Sequence, residues 1–302
     1  MTSTQPVSRV RRPVDSKAAK TVKLLIKGMI SRAVQNEFFW RLLDSTILRA
    51  SRYAAQKRAK YERPSQPLSS IVSDAIQAVC PDLVIRHGVF KGMKYPQMKS
   101  IGSALFPKLL GTYERELQPV VERICGENYT EIVNVGCGEG YYAIGLALRI
   151  PKAKVYAYDI DDEAIRLCEE MARLNKVDQR VFTGSFCDTA TLNTISLTKG
   201  LIFCDCEGFE KQLFTKDSAD ALSNCDLIIE VHDFIDITIS SYIHDLFADS
   251  HEIEIIESLD DIKKAKTYNY KEIERYDLAT RRTLLAELRP SIMEWFYLKA
   301  RN

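Results

Sequence analysis

The stretch Glu131-Ile-Val-Asn-Val-Gly-Cys-Gly-Glu-Gly-Tyr-Tyr-Ala-Ile-Gly-Leu-Ala147 constrains this chain more than any other. It reads as a buried strand, a glycine turn and the start of a helix. Glycines at 136, 138 and 140 let the backbone pass close to a ligand and take angles that side-chain-bearing residues resist. The turn opens a helix, and the first amides of a helix lack intrahelical partners and favour an anionic group. A strand that runs into such a turn is a cradle for a nucleotide-type cofactor.

Two features narrow the cofactor. The dinucleotide fingerprint needs a third glycine three places after the second. Here that place is Tyr141, and the third glycine, Gly140, comes one residue early. The next strand, Lys154-Val-Tyr-Ala-Tyr-Asp159, ends in a carboxylate 23 residues after Gly136. An acid about 20 residues past the turn sits at the neighbouring strand tip, where it accepts ribose hydroxyls. The G-x-G-x-G form with that acid resembles the class I methyltransferases that use S-adenosylmethionine. The resemblance makes Asn134, Gly136, Cys137, Gly138, Glu139, Gly140, Tyr141, Asp159 and Ile160 the expected cofactor contacts.

Helix and strand alternate after the glycine turn. Strands are expected at 131–136, 154–159, 179–183, 200–205 and 226–231, with helices near 140–150, 162–175, 188–195, 208–223 and 236–248. Two further strands, near 251–257 and 292–299, flank an insertion with Tyr268, Tyr270 and a helix near 278–289. The pattern predicts an α/β fold: a Rossmann-like, doubly wound sheet, mostly parallel with an antiparallel last strand. Ligands of such sheets bind outside the carboxyl ends of the strands. Upstream, residues 1–64 form a basic extension, polar at 1–15 and with helical periodicity over 16–60. Pro64-Ser65-Gln66-Pro67 breaks it. Residues 65–125 then read as a cap or lid segment, with strand pieces at 83–96 and one helix over 105–125, and 126–302 as the cofactor-binding domain.

A second motif lies at the strand ends. Leu201-Ile-Phe-Cys-Asp-Cys-Glu-Gly-Phe-Glu210 closes one strand, and Asp226-Leu-Ile-Ile-Glu-Val-His-Asp233 closes the next. Ionisable groups converging at a strand edge are costly unless they pair, bind a metal or move protons. Together with Val135-Gly-Cys-Gly-Glu-Gly-Tyr-Tyr142, these segments resemble the FkbM-type methyltransferases, which O-methylate sugars and natural products; the resemblance covers roughly residues 111–235. It implies that Asp205, Glu207 and the Glu230–His232 strand end flank the acceptor side of the cofactor. Tyr113 and Glu114 resemble the family's short helix that closes over the methionine end. Asn134 stands where many methyltransferases carry an acid. The tip of the third strand reads Thr183-Gly-Ser-Phe-Cys-Asp188, which leaves Ser185 or Phe186 to hold the adenine in place of Asp188.

A hydroxyl acceptor is a poor nucleophile, so a base has to take its proton. His232 is the natural base, with Glu230 or Asp205 orienting it. Alternatively Asp205, Glu207 and Glu230 hold Mg²⁺, which prefers oxygen ligands. His87, Phe90, Lys91 and Tyr95 suit an acceptor lid and an ordinary hairpin equally well.

Net charge is only +1, yet residues 1–64 carry 15 Lys/Arg against 4 Asp/Glu and the remainder is acidic. The acidic body argues against nucleic acid as a partner; the basic helix suits a twin subunit or an anionic membrane face. Eight cysteines without a C-x-x-C pair fit reduced thiols in a cytoplasmic protein, soluble or peripheral to the inner membrane face. The expected acceptor is a small molecule or glycan. Two other functions stay open: a nucleic-acid methyltransferase anchored by the basic arm, and a silent cofactor-fold scaffold. Against the first, the fourth strand ends in Asp205-Cys-Glu-Gly, not the D-P-P-[YF] of adenine N-methyltransferases.

Overall fold

The computed structural model describes residues 69–195, 197 and 199–301. They fall within one compact unit, 57–302. The basic helical extension expected over 1–64 lies outside the described residues.

The first helix, α1 (Ser70–Val79), is capped by the Ser69 side chain, which accepts from the Val72 amide. The segment at 83–96 makes a single antiparallel bridge, Val84 to Lys94, in place of the expected strand pieces. The single helix expected over 105–125 is broken into α2 (Leu105–Leu110) and α3 (Gln118–Cys125). Gly111 ends α2 with φ 88°, and a Cβ there would lie 2.0 Å from the His87 carbonyl oxygen. That left-handed stop turns the chain before Pro119 restarts it at the first turn of α3.

The sheet then builds by alternation: β1 (Glu131–Val135), α4 (Tyr141–Arg149), β2 (Lys154–Tyr158), α5 (Asp162–Leu174), β3 (Val181–Gly184), α6 (Thr189–Thr194) and β4 (Gly200–Cys204). The helix expected over 208–223 is two short ones, α7 (Glu210–Leu213) and α8 (Lys216–Ala221). Thr215 and Ser218 form a capping box that starts α8 afresh. Next come β5 (Asp226–Val231), α9 (Ile239–Phe247) and β6 (His251–Glu257). The insertion holds α10 (Asp261–Thr267), a short 3-10 turn at Lys271–Ile273, and α11 (Leu278–Leu285) before β7 (Glu294–Ala300). The α10 helix was not expected; Asp260 caps it by accepting from Ile262 and Lys263. The expected helix to 289 stops at Leu285, because Ala286 is extended and Leu288 has φ 58°.

Strand order is β3-β2-β1-β4-β5-β7-β6. The first five strands are mutually parallel, and β7 lies antiparallel between β5 and β6. This is the mixed, Rossmann-like sheet that the alternation predicts. Side chains alternate between two cores. Ile132, Leu201, Phe203, Ile228, Trp295 and Tyr297 face one cluster, shared with α4 and the 75–110 segment. Val133, Ile202, Leu227, Ile229, Phe296 and Leu298 face the other. Burial on both faces explains why these strands are continuous apolar runs.

The chain leaves β1 toward β2 and returns to β4 on the opposite side, so the order reverses between β1 and β4. Ligand crevices form at such a reversal. Here Gly136 (φ 76°) lies against β4: a Cβ built on it would fall 1.6 Å from the Asp205 carbonyl oxygen. Gly136→Ala is therefore expected to cost about 3 kcal/mol or more, since a backbone atom cannot step aside. Urea unfolding measures this; a loss under about 1 kcal/mol would show that the strand tips can separate.

Candidate functional site

The glycine turn hangs from β2. The amides of Gly136 and Cys137 both donate to the Tyr158 carbonyl, at 2.8 and 2.9 Å. Asp159 is buried at the β2 tip; its two carboxylate oxygens accept from Gly138 N and Asp161 N, each at 2.9 Å. The acid and the glycine turn thus form one unit. Gly140 (φ 102°) begins α4 and packs against Cys168 of α5.

A narrow cleft lies over this unit. Tyr113, Asn134, Gly136, Cys137, Gly138, Tyr141, Asp159, Asp205 and Glu207, all singled out from the sequence, line it. Ile101, Gly102, Ser103, Lys108, Tyr142 and Phe203 line it too and were not foreseen. Asn134 donates from Nδ2 to the Phe203 carbonyl at 3.1 Å, while its Oδ1 is buried without a hydrogen-bond partner. The free volume is about 70 Å³, below the roughly 300 Å³ at which small-molecule pockets begin.

Ile101–Ser103 is held over the cleft by Glu139, a residue expected to contact the cofactor. Its buried carboxylate instead accepts from Lys108 Nζ (2.6 Å), Tyr95 OH (3.0 Å), Ser100 OH (2.9 Å) and Ile101 N (3.0 Å). Burial raises its pKa, but the Lys108 charge and hydrogen bonds outweigh this and hold it below the ordinary value. Neither Tyr95 nor Phe90 is an acceptor contact: Phe90 packs on Gly145, Tyr141 and Tyr142, and His87 meets Glu272 at 2.8 Å.

Glu114 and Glu230 also go elsewhere. Arg289, in the loop after α11, binds Glu114 at 2.6 Å, Glu287 at 3.1 Å and also Glu230. Tyr142 OH donates to Glu114 as well. Burial and the neighbouring Glu287 charge, opposed by Arg289, raise Glu114 to about 7. Glu230 therefore orients neither His232 nor Asp205. Arg289 stands 59 residues from Glu230, and nothing in the local pattern pairs them.

His232 is oriented by Glu210. Both side chains are fully buried, and Glu210 Oε1 lies 2.5 Å from His232 Nδ1. The other ring nitrogen, Nε2, faces Asp205 Oδ1 at 3.5 Å and Glu207 Oε2 at 3.9 Å. Burial lowers the imidazole pKa, but the Glu210 hydrogen bond and the Asp205 charge outweigh it and raise it to about 10. The carboxylates around the ring thus favour its protonated form, against its use as a ready base. Burial and the Glu230 charge push Asp205 well above the carboxylate range. Glu207 sits in the left-handed region at φ 54°, followed by Gly208 at φ 92°, which swings the chain away from β4.

At the β3 end, Ser185 is exposed and the Phe186 ring lies 5.7 Å from Phe209. Asp188 caps α6 by accepting from the Thr191 amide (2.8 Å). Ser185, Phe186 and Ile160 do not line the cleft as it stands.

Comparison with known proteins agrees with this geometry. Residues 127–259 match the family model described as a methyltransferase domain. A release factor glutamine methyltransferase of Flavobacterium psychrophilum is 34% identical over 85 residues, 26% of this chain and 30% of that protein. A ribosomal protein L11 methyltransferase of Acetivibrio thermocellus is 44% identical over 54 residues, 18% of this chain and 17% of that one. The chain thus spans under a third of the length of these curated relatives. Among solved structures, an rRNA methylase from Streptococcus thermophilus is similar at 11% identity and a TM-score of 0.43, over 62% of this chain and 98% of that one. That likeness is too loose to add to the strand order.

Removing Arg289 leaves three carboxylates without their shared cation. Arg289→Met is expected to destabilise the fold by about 3–5 kcal/mol, the cost of breaking a buried ion pair. Denaturant unfolding checks it; an unchanged midpoint would show that the three acids neutralise themselves.

Proposed function

We propose that this protein is an S-adenosylmethionine-dependent methyltransferase acting on a hydroxyl oxygen of a small-molecule or glycan acceptor. The observation that carries the reading is the joined unit of glycine turn and Asp159 at the sheet's reversal point, within the matched methyltransferase segment. The cofactor supplies a methyl group already activated on a sulfonium. Asp159 holds the ribose hydroxyls, and the Gly136–Gly138 backbone lies alongside. The orphaned Asn134 Oδ1 accepts from the cofactor's ammonium group, which gives a buried acceptor the partner it lacks. Tyr113, Tyr141 and Tyr142 line the cleft and keep water from the transferred group.

The small free volume means that Ile101–Ser103 has to lift for a nucleoside-sized ligand to enter. Its tether is a short set of hydrogen bonds to Glu139, and a Cβ on Gly102 would meet nothing within 4 Å. Acceptor and cofactor meet at the β4 and β5 tips, beside the Asp205–Glu207–His232 cluster. The FkbM-type assignment rests on the Asp205-Cys-Glu-Gly-Phe-Glu210 and Glu230-Val-His232 strand ends. The curated relatives' named acceptors are not carried over, because the matched stretches are short.

Calorimetry with S-adenosylhomocysteine tests the cofactor. The intact protein is expected to bind one equivalent, and Asp159→Ala to weaken binding at least tenfold. No binding by the intact protein would overturn the reading in favour of a scaffold. A methyl ether in the product supports the oxygen acceptor; a methylated nitrogen overturns that part alone.

A further inference from the structure

The geometry points to a divalent-cation site formed by Asp205, Glu207 and His232, suited to a first-row metal such as manganese(II) or iron(II). The three donor atoms, Asp205 and Glu207 carboxylate oxygens and His232 Nε2, all lie within 4.8 Å of one another. Donors bound at about 2.1 Å from one metal stand roughly 3.0–3.4 Å apart at adjacent positions and about 4.2 Å apart across it. The two distances to His232 Nε2, 3.5 and 3.9 Å, fall between the adjacent and the opposite values. Only small movements, chiefly of the exposed Glu207 side chain, are needed to close the set.

Two further observations point to a ligand. Asp205 Oδ1 is buried and makes no hydrogen bond. A buried oxygen left so is costly, and a cation answers it. Glu210 Oε1 grips the far side of the His232 ring at 2.5 Å from Nδ1, which fixes Nε2 as the nitrogen turned toward the carboxylates. A carboxylate behind the ring is the usual support of a metal-bound histidine. The ligands come from the ends of neighbouring parallel strands, β4 and β5, which hold them rigidly.

The donor set selects the metal. One imidazole with two carboxylates is too nitrogen-rich for Mg²⁺ and lacks the thiolates that favour copper(I). The set also differs from the sequence expectation of Mg²⁺ on Asp205, Glu207 and Glu230, because Arg289 has taken Glu230 and His232 stands in its place. Asp205 and Glu207 line the cleft, so the cation's open positions face it. A hydroxyl bound there loses its proton more readily. That last role, unlike the site itself, rests on the proposed methyl transfer.

The test uses the full chain, dialysed against chelator, titrated with manganese(II) and followed by electron paramagnetic resonance of the free ion. One Mn²⁺ per chain is expected. Asp205→Asn, Glu207→Gln and His232→Ala should each weaken it at least tenfold. Glu210→Gln, which loosens the His232 ring and the Gly208 amide beside Glu207, should weaken it about 10- to 100-fold. Thermal unfolding of each metal-free variant separates lost ligation from lost fold, and the exposed Glu207→Gln carries the test if the buried variants unfold. No stoichiometric binding, or equal affinity in wild type and Glu207→Gln, overturns the site. S-adenosylhomocysteine calorimetry on the same samples separates the two readings. Cofactor analogue bound without Mn²⁺ sinks the metal site alone, and Mn²⁺ bound without the analogue sinks the methyltransferase reading alone.

Discussion

The close approach of β1 and β4 at their carboxyl ends is the contact on which the rest depends. It is possible only because position 136 has no side chain where the Asp205 carbonyl presses in. Once the tips meet, the glycine turn is pinned to Tyr158 on one side and Asp205 stands beside the cleft on the other. Every group assigned to cofactor, acceptor or cation is placed by this one approach. A wider gap would part Asp159 from Asp205 and Glu207, which now line one cleft.

Around that junction the protein buries an unusual number of charges, and each group of them fastens an added segment to the sheet. Glu139 with Lys108 holds the 95–108 segment over the cleft. Arg289 with Glu114, Glu230 and Glu287 ties the loop after α11 to β5 and to the turn before α3. Lys264, fully buried, pairs with Glu287 and joins α10 to the same network. Buried pairs add little net stability over apolar packing but tolerate no loss of a partner. They fix where the added segments sit, and so the shape of the cleft wall.

Much of this was legible in the sequence. The alternation of apolar runs with amphipathic stretches located all seven strands: β4 and β5 are buried on both faces, and the edge strand β6 reads as apolar residues alternating with acids. Glycine spacing and Asp159 marked the cleft, since a turn and an acid at fixed separation meet through strand geometry alone. Helix breaks at Gly111 and Thr215 were missed, because the apolar pattern runs through them while the backbone stops. Glu139, Glu114 and Glu230 were read as site residues because they adjoin the motifs, yet their charges are consumed by partners far along the chain. His232 was read as a base oriented by Glu230 or Asp205, because the spacing does not show Glu210 against its ring.

The sequence by itself determined the order of elements, the parallel sheet and the glycine turn after β1, because those follow from local periodicity, backbone freedom and strand length. Only the tertiary structure decided which carboxylate meets which cation. Long-range pairing depends on where loops 100 or more residues apart come to rest, as with Glu114 and Arg289, 175 positions apart. In a medium that screens charge poorly, that choice sets the protonation of His232 and Asp205 and therefore the chemistry available at the strand ends.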